Sequence, residues 1–170
     1  MKRCSRTPEL ELTRTEGDRR LYALEGVGTL QLQGLFSSSA DANAGGTSWR
    51  FVRRGLWRRT VVATDAAGAP AGEFEPNTLR RGGSLRWKSR ELSLRPAATF
   101  RERYAVVDGD RELAVLEGKA WGRRPIRITV PDGTSPEPGL LLFAAFVVRG
   151  LAEDASGAAG AAASTAATSG

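Results

Sequence analysis

Residues 139–148 read GLLLFAAFVV, the most apolar run in the chain, with Pro136-Glu137-Pro138 just before it and Arg149 just after. A membrane-crossing helix needs about 20 apolar residues, so this run falls well short of a span. A helix is favoured over a strand by the residues that precede it. Ser135 reads as an N-cap and Pro136 as the first helical residue, where a missing N–H costs little. Gly150 or Gly157 offers an exit. Leu140 to Val148 carry no polar residue on any side, and a helix apolar all round must be enclosed all round.

The enclosure is legible upstream. From residue 9 to residue 130 the dominant signal is alternation, the period of a half-buried strand. ELELT sets Leu10 and Leu12 against Glu9, Glu11 and Thr13, and ELSLR pairs Leu92 with Leu94. PIRITV groups Ile126, Ile128 and Val130, and SWRFV groups Trp49 and Phe51. Asp108-Gly109 marks a hairpin between FRERYAVV and ELAVLEG, because glycine accepts positive φ. A second hairpin turns through Asp65 to Gly68. Such a run of short strands and turns suggests a sandwich or a barrel. A strand of five or six residues spans roughly 17–20 Å, and the apolar helix rises about 15 Å, so the helix fits along a barrel axis. That barrel needs more than about eight strands, since eight leave room only for side chains. LYALEG at 21–26 and LAVLEG at 113–118 echo one another, but too briefly to establish a repeat. SSSADANAGGTS, 37–48, reads as a flexible loop.

The chain has 170 residues, 41% hydrophobic and 26% charged, with a formal net charge of +6, which suits one globular domain. Lys2, Lys88 and Lys119 are the only lysines, so arginine supplies nearly all the basic charge. Arginine suits planar anions such as phosphate and carboxylate. Cys4 is the only cysteine, and there is no histidine. Ser-His and Cys-His nucleophile pairs are thereby excluded, as are ordinary zinc sites. MKRCSRTPELELTR lacks the apolar run of a secretory signal, and cytoplasmic residence is expected. GVGTLQ and GKAWG match no nucleotide-binding spacing. Glu73 and Glu75 share a strand face as solvated carboxylates, and Asp108 and Asp110 are accounted for by their turn.

From about residue 20 to residue 155 the order of segments resembles the tubby-like barrel superfamily, akin to LURP-one-related proteins and phospholipid scramblases. The resemblance rests on RRTVVATDAAGAPAGEFE, SLRWKSRELSLR, FRERYAVVDGDRELAVLEGKAWGRRPIRITV and the helix PEPGLLLFAAFVVRGL. It implies a mostly β fold, a closed antiparallel barrel of about twelve short strands around a hydrophobic C-terminal helix. It also implies a non-enzymatic role: tubby-type members bind phosphoinositides and scramblase-type members act at membranes. The Cys-rich lipidation cluster and Pro-rich arm of scramblases are absent. Residues 1–8 are expected to be a flexible N-terminus, 9–154 one barrel domain, and 155–170 a disordered Ala/Gly/Ser tail.

The sharpest local feature is RFVRRGLWRRT, 50–60. Arg53, Arg54, Arg58 and Arg59 bracket Gly55-Leu56-Trp57, and a hairpin tip there would set Trp57 inside a cationic collar. The alternative is that Trp57 shares a face with Val61 and Ala63 and points into the core, leaving four solvated arginines. Trp suits the headgroup level of a membrane, and arginine its anionic phosphates. Arg86 and Lys88 extend the candidate anion site. No cofactor and no metal are implied. The expected partner is an anionic membrane surface or a phosphoinositide, bound peripherally. The alternatives are nucleic acid, held by stacking and charge, and a protein-interaction module with no small ligand. Oligomeric state is left open.

Overall fold

A computed structural model describes residues 8–33, 38–55, 59–77, 81–98, 103–118 and 125–166, with side chains to Ala155. In chain order the elements are β1 (Glu9–Arg14), β2 (Leu21–Leu24), β3 (Gly28–Gln33), β4 (Ser39–Ala44), β5 (Thr47–Arg54), β6 (Thr60–Asp65), β7 (Pro70–Pro76), β8 (Gly83–Trp87), β9 (Arg90–Pro96), β10 (Arg103–Asp108), β11 (Arg111–Glu117), β12 (Ile126–Thr129) and the helix α1 (Pro138–Ala166). Every strand pairs antiparallel with its sequence neighbours, and β1 closes on β12 through Glu9↔Thr129 to Leu12↔Ile126. The twelve-stranded barrel is therefore complete, with no strand edge left to template association.

Alternation builds the inner wall. Leu12, Phe51, Leu85, Leu94 and Ile128 are buried, while Glu11, Arg50, Arg86, Arg95 and Arg127 face out. β10 and β11 depart from it. Tyr104–Val107 and Leu113–Leu116 are buried without a break, because Ala105, Val107 and Val115 form a second small cluster apart from the main core. Both expected hairpins form. Gly109 takes φ 59° between β10 and β11. At the other, the Asp65 Oδ1 accepts from the amides of Ala67 and Ala69, each at 2.9 Å, an Asx turn that holds β6 to β7.

The reading of 37–48 as a loop is corrected. Ser39–Ala44 is β4, and the turn is Gly45-Gly46, both at positive φ. Ala40, Ala42 and Ala44 alternate inward, all buried. Their small size lets α1 lie close against this wall, and that closeness is why a strand of such low hydrophobicity belongs in a core. Trp49 and Phe51 on the adjacent β5, with Phe74 on β7 and Trp87 on β8, supply the bulky aromatic side chains of the core.

α1 runs inside the barrel, and Leu140 to Val148 are all buried. Phe143 meets Phe51 edge-on at 5.2 Å between ring centroids and Trp87 at 5.4 Å. The helix starts two residues later than the sequence suggests. Glu137 precedes a proline and is driven out of the α region, so Pro138 becomes the first helical residue. The first helical hydrogen bond runs from the Leu141 amide to the Glu137 carbonyl at 3.2 Å. Gly139 is required here: a Cβ on it would sit 2.6 Å from Trp87 Cζ2 and 2.8 Å from Trp49 Cζ2. Neither Gly150 nor Gly157 ends α1, which continues to Ala166 where the sequence suggests a disordered tail from residue 155. Alanine, the strongest helix former, dominates that stretch.

Candidate functional site

The candidate cations divide between the two faces of the sheet, and strand parity decides the division. Arg53 is two residues from Phe51 and four from Trp49, so it faces inward at the end of β5. Arg54 faces out.

At the mouth of the barrel Arg53 meets the last enclosed turn of α1. Its Nη1 donates to Glu153 Oε2 at 3.1 Å, and Arg149 Nε donates to Glu153 Oε1 at 3.0 Å. The side chains are only 11% exposed for Arg53, 14% for Glu153 and 20% for Arg149. Arg53 also lies over the Phe146 ring at 5.2 Å, and Arg149 over Tyr22 at 5.1 Å, geometries in which the ring quadrupole attracts the cation. Burial draws the Arg53 guanidinium below its ordinary pKa. Glu153 opposes that shift, while Arg149 and Arg59 reinforce it. Gly150 gives the guanidinium its place, since a Cβ there would meet Arg53 Nη2 at 2.4 Å. Arg59 sits at the rim, paired with Asp154.

Arg54, Arg86 and Lys88 come together elsewhere, along a groove of about 440 Å³ on the outer face of β5 to β8, floored by Gly72 and edged by Thr64 and Pro70. Arg86 stands opposite Glu73 across the β7–β8 ladder and pairs with it. Lys88 Nζ lies 2.6 Å from Glu137 Oε1, whose partner oxygen accepts from Trp87 Nε1 at 3.2 Å. Arg54 has no ion-pair partner among the described residues. Trp57 and Arg58 lie outside the described residues, so the collar is represented by Arg53, Arg54 and Arg59 alone.

The residues that sequence reasoning passed over are Arg149, Glu153 and Asp154. Two signals mark them: the Arg149 to Glu153 spacing of four, which pairs along a helix, and the inward parity of Arg53. Among the described residues no cluster of His, Cys, Asp or Glu is placed to hold a metal, and no helix is long and apolar enough to cross a membrane. No family model, curated protein or solved structure matches the chain.

Proposed function

We propose that the protein is a non-catalytic barrel of the tubby-like kind that holds an anionic partner, a phosphate-bearing lipid headgroup at a cytoplasmic membrane surface, in the outer groove of β5 to β8. The observation that carries this reading is the convergence of Arg54, Arg86 and Lys88 on one groove, where Glu73 pairs with Arg86, Glu137 pairs with Lys88, and Arg54 has no ion-pair partner among the described residues.

Magnitudes narrow the ligand. Attraction of three basic residues to an anionic leaflet supplies about 3 kcal/mol, weaker than the roughly 4 kcal/mol of millimolar binding. A bare charged surface is thus too little. A headgroup bearing several phosphates adds bidentate arginine contacts, which are shorter and about twice as strong as neutral hydrogen bonds.

The test is co-sedimentation with phosphatidylcholine vesicles, with and without a phosphatidylinositol bisphosphate, at low and high salt. Selective pelleting on the phosphoinositide vesicles, lost in the double variant Arg54→Ala/Arg86→Ala, is the expected result. Equal pelleting on both vesicle types removes the proposal. Salt-sensitive binding to oligonucleotides without vesicle binding reassigns the groove to nucleic acid.

A further inference from the structure

The barrel mouth presents a different arrangement from the outer groove. Arg53, Arg59, Arg149, Glu153 and Asp154 gather there, three guanidiniums against two carboxylates, so one positive charge is left over among the described residues. The hydrogen-bond tally agrees with the charge tally. Arg53 Nε and Nη2 and Arg149 Nη1 are buried donors with no acceptor among the described residues. Buried donors are ordinarily satisfied, and each one left orphaned is costly.

Beside Arg53 opens a cleft of about 300 Å³, the lower end of the range that small ligands occupy. Its walls are Val61, Phe74, Pro76, Val147 and Leu151, with Arg53 on one side and Arg59 and Asp154 at the edge. Val61, Phe74 and Val147 are buried core residues. The cleft is therefore an extension of the barrel's apolar interior that ends in an under-compensated guanidinium cluster.

We infer that this cleft binds one small anionic amphiphile, a carboxylate or phosphate headgroup on a short aliphatic chain. The head takes the place of Asp154 on Arg59 and supplies an acceptor to Arg53, while the chain lies on Val61, Phe74 and Leu151. The Arg59–Asp154 pair is the movable part. Its side chains are 53% and 34% exposed, and such surface pairs contribute little, so an incoming anion displaces the carboxylate at small cost. The buried Arg53–Glu153–Arg149 group stays in place as the fixed positive wall.

Isothermal titration of the full chain with octyl phosphate, octanoate and octanol tests this. The two anions share the tail, so their ratio tells a phosphate source from a carboxylate source, and octanol reports the apolar contribution alone. Saturable binding of at least one anion is expected, about tenfold or more tighter than octanol. Asp154→Asn, a rim change that leaves the buried group intact, should tighten anion binding by up to about fivefold by removing the competing carboxylate. Arg53→Lys keeps the charge but loses the fork, and should weaken it about tenfold. Arg54→Ala leaves it unchanged, which separates this site from the outer groove. Absence of saturable binding by both anions, octanol binding as tightly, no gain in Asp154→Asn, or a loss in Arg54→Ala each overturns the assignment.

Discussion

Arg53 donates to Glu153 at 3.1 Å across a sequence separation of 100 residues, and so ties the end of β5 to the helix that the barrel encloses. The bond lies at the barrel mouth with both side chains largely buried. Removing Glu153 leaves Arg53 and Arg149 as uncompensated buried charges, a change that typically costs about 3–5 kcal/mol. Glu153→Ala should lower the free energy of urea unfolding by an amount in that range. Arg59→Ala breaks only the exposed pair with Asp154 and should cost under about 1 kcal/mol. Equal effects would mean that burial does not separate the two pairs.

Phe143 is fully buried and touches both Phe51 and Trp87. Phe143→Ala should destabilise by about 3–5 kcal/mol, through lost burial and the cavity that remains. A chain ending at Pro138 lacks the whole enclosed surface and should show no cooperative melting transition by circular dichroism. Retention of a parental transition there would sink the barrel-around-helix architecture.

Gly139→Ala sets two effects against each other. Alanine gains about 1 kcal/mol over glycine in helix propensity, but its Cβ would lie 2.6 Å from Trp87 Cζ2. Overpacking of that kind costs about 1–3 kcal/mol, so the variant should be the less stable one. Its tryptophan emission should shift as Trp49 and Trp87 are pushed apart.

Asp18 accepts from the Arg20 amide at 2.8 Å and from Gln31 at 3.2 Å, and these bonds hold its pKa below the ordinary 3.8. A carboxyl depressed in the folded state stabilises fully above its unfolded pKa and loses that contribution as pH falls through the folded value. Carbon-detected NMR titration should place Asp18 below 3.8. Asp18→Asn should flatten the acid limb of the stability profile below about pH 4.

The helix and the alternating strands could be read because each follows from side-chain period alone: Leu140 to Val148 admit no exposed side, and Leu92 and Leu94 admit only one buried face. β4 was hidden because Ala40, Ala42 and Ala44 beside Asp41, Asn43 and Gly45-Gly46 have the composition of a loop. Only the nearness of α1 makes that strand sensible. Arg53 was legible in principle, since Trp49, Phe51 and Arg53 share one parity, yet charge suggests the surface more strongly than parity suggests the core. Its partner Glu153, and the Asp154 that pairs with Arg59, lie so far along the chain that only the closed barrel brings them near. The start of α1 at Pro138 likewise turns on the restriction that proline places on Glu137.

Because α1 follows all twelve strands in the chain, its apolar surface leaves the ribosome after the sheet that must wrap it. Until then the inward residues of β1 to β12 have no helix to pack against. Folding must therefore await synthesis of α1, and a sheet closed by the distant β1–β12 pairing assembles slowly. Throughout that interval the inward apolar side chains stay exposed to water.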